Sequence, residues 1–257
     1  MYSKESDDDL LIARVLDKKR LCDSKNRVTY SGFLNEREQT IIMKNINMNH
    51  CFFFGGNENA DRKILIFYPE KLNEEIVRRS IGTILSGIRI NLPNENKGKY
   101  EHRNYLSALI KIGIERDRIG DILVDDDGAD IIIFNINKEF ILQGVRELTR
   151  FKKSKIQDIN IDDIRKKIDN FIENTIIVPS MRCDCIVAEL VGCSRNMACE
   201  MIDNERVFVN YETIYKSSKM ISIGDMITIR GKGKFIISDL IRNTKNDRLV
   251  LKTKKYI

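Results

Sequence analysis

The chain has 257 residues, 42% hydrophobic and 32% charged, with no tryptophan and a net charge of +6. That length and balance describe two or three globular domains rather than a disordered chain. No apolar run approaches the roughly 18–20 residues needed to cross a bilayer, and the polar, acidic start Met1–Asp9 lacks the pattern of a secretory signal, so a cytoplasmic protein with no membrane partner is expected.

The first helix is predicted over Asp9–Lys19, where Leu10, Ile12, Ala13, Val15 and Leu16 form an apolar stripe and Asp7, Asp8 and Asp9 sit at the positive end of its dipole. Arg27–Tyr30 reads as extended, and Asn35 is a plausible N-cap for a second helix over Glu36–Met43. Cys51–Phe54 and Lys63–Tyr68 read as two strands joined through Gly55-Gly56, a hairpin whose glycines allow positive φ. Neither the P-loop nor the dinucleotide-binding glycine pattern is present there.

From Leu72 the pattern becomes a helix at Asn73–Ile81, a strand at Ile84–Leu92, a helix at Glu101–Ile112, strands at Gly120–Val124 and Ile131–Phe134, a helix at Lys138–Leu148 and a strand at Lys155–Ile159. This is the split βαβ order of RNA-recognition-motif-like domains, without their aromatic stacking strips. His102-Arg103-Asn104 echoes a kinase catalytic loop but lacks its companions, so surface residues are expected. Asp125, Asp126, Asp127 and Asp130 lack the order of a calcium loop, and Asp-Gly between apolar runs predicts a solvated hairpin turn.

Residues Ile161–Asn174, rich in Lys and Asp, read as a helix or linker, and Pro179-Ser180 marks a boundary. Beyond it Asp184 stands where an N-cap belongs, Gly192 ends that helix, and Ser194 caps a second one running from Arg195 to about Asp203. Arg182, Arg195, Asn196 and Arg206 fall on the exposed side, Gly224-Asp225 turns into Met226–Ile229, and Gly231-Lys232-Gly233-Lys234 offers cations on an open backbone.

Charge follows the same division. Residues 181–257 hold 14 Lys+Arg against 9 Asp+Glu, while the first 180 hold 30 against 29, and from Arg230 onward the count is 9 to 2. Such an excess is the footprint of a nucleic-acid contact. Cys183, Cys185, Cys193 and Cys199 invite a metal reading, but paired knuckles are missing and no histidine is near, so core thiols are expected and no metal or other cofactor.

Arg182-Cys183-Asp184, Ser194-Arg195, Val207-Phe208-Val209-Asn210 and the Gly224-Asp225 turn resemble, in that order, the small RNA-binding module named after ribosomal protein S-four. Glu205 stands where that module has Gly, so Asn204 is expected to take the left-handed conformation, and Met197 and Cys199 replace basic or polar residues. Phe53-Phe54-Gly55-Gly56, Ala60-Asp61-Arg62-Lys63, His102–Leu109, Gly120–Val124 and Arg230–Phe235 extend a resemblance over nearly the whole chain to the bacterial YlmH family.

The resemblance implies an α+β protein of three small modules: an N-terminal α/β region at 1–71, an RNA-recognition-motif-like middle domain at 72–160, a linker helix at 161–180 and an S-four-type domain at 181–257. It implies a monomer that binds rRNA and tRNA on the large ribosomal subunit, not DNA, in quality control of stalled nascent chains. The expected RNA-binding residues are Arg182, Ser194, Arg195, Asn196, Arg206, Asn210, Arg230, Lys232 and Lys234, and no catalytic residue is expected. The competing expectation is an RNA-modifying enzyme of the pseudouridine-synthase type, whose catalytic Asp would need a further domain.

Overall fold

The computed structural model describes residues 4–57, 59–166, 171–244 and 246–256. The chain is α+β and divides into two compact units, Met1–Lys167 and Ile168–Ile257.

The first unit begins with α1 (Lys4–Lys25), β1 (Thr29–Tyr30), α2 (Glu36–Asn45), β2 (Cys51–Phe54), β3 (Ile64–Phe67) and α3 (Glu74–Arg79). Helix α1 is longer at both ends than its apolar stripe predicts, and Asp7–Asp9 lie inside it. Tertiary packing supplies what local pattern does not: Val15 and Cys22 are buried with Leu34, Ile42, Leu65 and Phe67. Asn35 caps α2 as expected, accepting from the Glu38 N–H at 3.0 Å. The strands form an antiparallel sheet in the order β1-β3-β2. Gly55 in its hairpin is required by close approach, since a Cβ there would stand 2.4 Å from the Arg62 carbonyl oxygen.

Next come β4 (Leu85–Asn91), α4 (His102–Lys111), β5 (Ile119–Asp125), β6 (Gly128–Phe134), α5 (Lys138–Glu147) and β7 (Lys155–Ile159). Their sheet order is β5-β6-β4-β7 with every pair antiparallel, the split βαβ topology. Alternation along β6 sends Ile131 and Ile133 into a core with α4 and α5, and Ile132 and Phe134 to the other face. That other face is covered from within the unit: Phe134 packs on Tyr30 and Phe33, with ring centroids 5.3 and 5.0 Å away.

Two sequence expectations change here. Asp125, Asp126 and Asp127 are exposed in the β5–β6 turn, but Asp130 is fully buried. It lies under Arg89, which donates to it from Nε and Nη2 at 2.8 and 2.6 Å. Four acidic residues in one stretch cannot reveal that strand alternation turns the last of them inward. The second change concerns 161–180, of which 167–170 lie outside the described residues: in place of the linker helix stand a 3-10 turn at Ile161–Asp163 and a strand, β8 (Phe171–Val178). The partner that makes this segment a strand lies more than seventy residues on, so nothing local announces it.

The second unit continues with α6 (Cys183–Val191), α7 (Arg195–Asp203), β9 (Val207–Val209), β10 (Glu212–Thr213), β11 (Met226–Ile229), β12 (Gly233–Asn243) and β13 (Leu249–Tyr256). The strands form one sheet in the order β10-β9-β11-β12-β13-β8. Cys183, Ile186 and Val187 of α6, with Ala198 and Ile202 of α7, pack onto one face of it through Val207, Ile227, Phe235, Ile237 and Leu251. Gly192 ends α6 at φ +66°, the left-handed C-cap its position predicts. Among the described residues, the other face of the sheet carries no helix of this unit.

Candidate nucleic-acid interface

Asp184 organises the start of α6, though not as its cap. Arg182 is the N-cap, and Asp184 lies in the first turn with 1% of its surface exposed. The first-turn N–H groups are already spent: Cys183 N donates to the Lys219 carbonyl at 2.8 Å and Asp184 N to that of Ser217 at 3.1 Å. The Asp184 carboxylate instead gathers side chains. Arg182 donates from Nε to Oδ1 at 3.1 Å and from Nη2 to Oδ2 at 2.8 Å. Arg195, from the first turn of α7, donates from Nε and Nη2 to Oδ2 at 3.0 and 2.9 Å. The Cys185 N–H completes the set at 2.9 Å.

Burial alone would push the Asp184 carboxyl up. The hydrogen bonds from Arg182, Arg195 and Cys185 outweigh it and hold the group at about 2. The carboxylate is therefore charged throughout the ordinary pH range. Each guanidinium has five N–H donors and spends its Nε edge on Asp184, which leaves the Nη1–Nη2 end for another anion. The side chains of Arg182 and Arg195 are 35% and 55% exposed, enough to present that end to solvent.

Around this pair Ser194, Arg195 and Asn196 are exposed. The Ser194 hydroxyl accepts from the Met197 N–H at 3.2 Å, so it caps α7. Arg206 donates from Nη2 to the Arg230 carbonyl at 3.1 Å, tying the end of α7 to the β11–β12 turn. Lys232 in that turn lies close enough to Cys193 to offset part of the upward push that burial gives its thiol. The turn cations and the α6–α7 corner thus share a neighbourhood.

Asn210 and Lys234 are placed differently. Asn210 adopts φ +49° and spends its side chain on the backbone fold, donating to Asp225 at 2.8 Å and accepting from the Met226 N–H at 3.0 Å. Lys234 precedes the buried Phe235 and so projects from the opposite face of the sheet, where its ammonium lies 5.2 Å from the Tyr211 ring centre and 5.6 Å from that of Tyr256. Glu205, not Asn204, takes the left-handed conformation, at φ +53°. The backbone keeps the geometry of the usual glycine even though a side chain occupies the position.

Cys183 and Cys185 are buried in the core, Cys193 and Cys199 half-buried. Among the described residues no three His, Cys, Asp or Glu side chains are grouped as a metal would require, and no helix is long and apolar enough to cross a membrane. His102, at the start of α4, is exposed, and Asn104 accepts from the Glu101 N–H at 2.8 Å as part of the helix cap.

In the first unit the motif residues converge on a scaffold. Asp121 accepts from the Asp61 and Arg62 N–H groups at 2.8 and 3.0 Å. Arg62 then donates to the carbonyls of Ile119, Phe33 and Arg116 at 3.0, 2.9 and 3.1 Å.

Sequence reasoning passes over Phe208, Tyr256 and Phe171, although Phe208 between two valines is the alternation that turns a ring away from the core.

Basic donors gather at the α6–α7 corner on an α+β frame, and the family model that matches this chain is that of an RNA-binding domain. Residues 85–163 match the family model described as "Putative RNA-binding domain in YlmH". Over 248 residues, 94% of this chain and 93% of the relative, the chain is 26% identical to the ribosome-associated protein quality control protein P2 of Bacillus subtilis (strain 168). A solved structure, the cell division protein ylmH from Streptococcus pneumoniae, is similar with a TM-score of 0.49 and 18% identity, covering 64% of this chain and 98% of that one. Residues 85–163 thus resemble the RNA-binding domain of YlmH, and the similarity to the Bacillus subtilis protein runs over nearly the whole chain.

Proposed function

We propose that this chain is a non-catalytic RNA-binding protein that acts on the large ribosomal subunit, contacting rRNA and tRNA as a monomer in quality control of stalled nascent chains. The observation that carries the proposal is the pair of guanidiniums on Asp184, two forks held in fixed orientation with their outer ends toward solvent. Bidentate donors of this kind suit phosphate, and structured RNA is read by shape and backbone rather than sequence. Lys232 and Arg206 extend the track, and the name of the Bacillus subtilis relative supports the ribosomal setting.

In this proposal 181–257 is the S-four-type module that grips RNA, while 1–71 and 72–160 form an α/β region and an RNA-recognition-motif-like module. The four-stranded sheet offers no bases a platform, because Phe33 and Tyr30 already cover it. Any RNA contact from 85–163 comes from outside that face. A pseudouridine-synthase role for Asp184 is disfavoured: a carboxylate buried under two guanidiniums cannot attack a base.

The test is binding of the Arg182→Ala/Arg195→Ala variant to purified large subunits over a range of salt concentrations. Loss of two phosphate contacts should lower the slope of log affinity against log salt by roughly two. Unchanged affinity and slope would remove the basis of the proposal.

A further inference from the structure

The face of the C-terminal sheet that carries no helix of its unit is crossed by one row of side chains. Phe208 of β9 pairs with Thr228 of β11, and Thr228 with Lys234 of β12. Because Phe235 pairs with Lys255, the next rung sets Lys234 beside Tyr256 of β13, and Tyr256 pairs with Phe171 of β8. The row places three rings, one cation and one threonine over five strands, four spacings of about 4.8 Å or about 19 Å in all.

Each ring has a cation against it. The Arg230 guanidinium lies 5.0 Å from the centre of Phe208, and the Lys254 ammonium 4.2 Å from that of Phe171. Lys234 sits near both Tyr211 and Tyr256. Phe171 is 40% exposed, although a ring of that size is ordinarily buried. Glu173 pairs with Lys252 at 2.7 Å and stands 3.8 Å from Lys254, marking one edge of the cationic track.

Protein-docking faces are depleted in lysine. Rings interleaved with Lys and Arg match the needs of a single-stranded nucleic acid, whose bases stack on rings while phosphates take the cations. In the first unit the corresponding sheet face is filled by the chain's own aromatics.

We propose that this face of the C-terminal sheet binds an unpaired RNA segment, stacking two or three bases on Phe208, Tyr256 and Phe171, separately from the Arg182/Arg195 patch. The inference rests on the RNA-binding function proposed above and adds the class of RNA and the surface that takes it.

Fluorescence anisotropy of the full chain tests it with two probes: an oligouridylate about twelve nucleotides long and an RNA duplex of about 16 base pairs. The Phe171→Leu/Tyr256→Leu variant is expected to bind the oligouridylate at least about tenfold more weakly, with duplex affinity within about twofold of the parent. The Arg182→Ala/Arg195→Ala variant should lose duplex binding more steeply. Ultraviolet crosslinking of the oligouridylate to the unaltered protein supplies a readout independent of the variants, with adducts expected on peptides carrying Phe208, Tyr256 or Phe171. A folded aromatic variant with undiminished oligouridylate affinity, or adducts confined to the α6–α7 corner, would overturn the inference. Duplex binding without oligouridylate binding overturns it while leaving the RNA-binding function standing. A parent protein that binds neither probe defeats both.

Discussion

Arg195 reaches across eleven residues to place Nε and Nη2 on a single oxygen of Asp184, at 3.0 and 2.9 Å. With Arg182 on the same carboxylate, a buried anion orients two surface cations. The anion is therefore positional: it fixes where the forks point, and in the proposed function the forks meet the phosphate.

That carboxylate gives the unit a pH signature. Its folded value of about 2 lies below the ordinary 3.8. The stabilisation is fully present above about pH 4 and is lost as pH falls toward 2, an effect of about 2 kcal/mol. Urea unfolding of the C-terminal unit, followed by hydrogen exchange in α6 and α7 at pH 5 and pH 2.5, should show this loss in the parent. The Asp184→Asn variant, already weaker at pH 5, should show a smaller further fall.

Charge and geometry separate at Arg195. Arg195→Lys retains the cation but cannot offer paired donors to Asp184 and phosphate together. RNA affinity should drop at least about fivefold with the salt slope nearly unchanged, whereas Arg195→Ala should lower the slope by roughly one. Anisotropy titrations at several salt concentrations distinguish the two.

Two glycines at positive φ should respond very differently to alanine. A Cβ on Gly128, at φ +144°, would stand 1.9 Å from the Ile90 carbonyl oxygen. Gly192, at φ +66°, has nothing within 4 Å of such a Cβ. Gly192→Ala should cost about 1 kcal/mol, the left-handed penalty alone. Gly128→Ala should cost more than about 3 kcal/mol or prevent folding, because the β4–β6 ladder must part. Denaturant midpoints measure both.

Glu205 occupies a left-handed position at φ +53°. Glu205→Gly should relieve about 1 kcal/mol of backbone strain, offset in part by unfolded-state entropy and by the contact Glu205 makes. A small rise in the melting temperature of the C-terminal unit is expected, with RNA affinity unchanged.

Arg62 donates to the carbonyls of Ile119, Phe33 and Arg116, of which that of Ile119 also accepts from Arg116 at 2.8 Å. Arg62→Met should cost roughly 3 kcal/mol or more, since half-buried acceptors lose their donor. Thermal unfolding read by circular dichroism checks the value.

Local chemistry was the legible part of the sequence. Ser194 and Gly192 mark helix ends because caps are set by neighbours, and the unbroken apolar run Ile131–Phe134 reads as a strand, which the fold buries on both faces. Asp184 shows the limit: a carboxylate at the head of an apolar run reads the same whether it caps the helix or is buried beneath two arginines. Asp130 was hidden likewise, since its partner Arg89 lies forty-one residues away. Strand β8 escaped because its Lys- and Asp-rich approach and its distant partner both point away from a strand. Glu205 escaped because the backbone of the turn is held by bonds such as Arg206 N to the Met201 carbonyl, whatever residue occupies it.

The pairing of Phe171–Val178 with Leu249–Tyr256 also sets an order of events during synthesis. The strand Phe171–Val178 has its hydrogen-bonding edge vacant until Leu249–Tyr256 has left the exit tunnel. Helices α6 and α7 can form early from local contacts, but the sheet beneath them closes only once Leu249–Tyr256 has emerged. A chain arrested before Leu249 would carry an open, partly apolar edge rather than a finished fold.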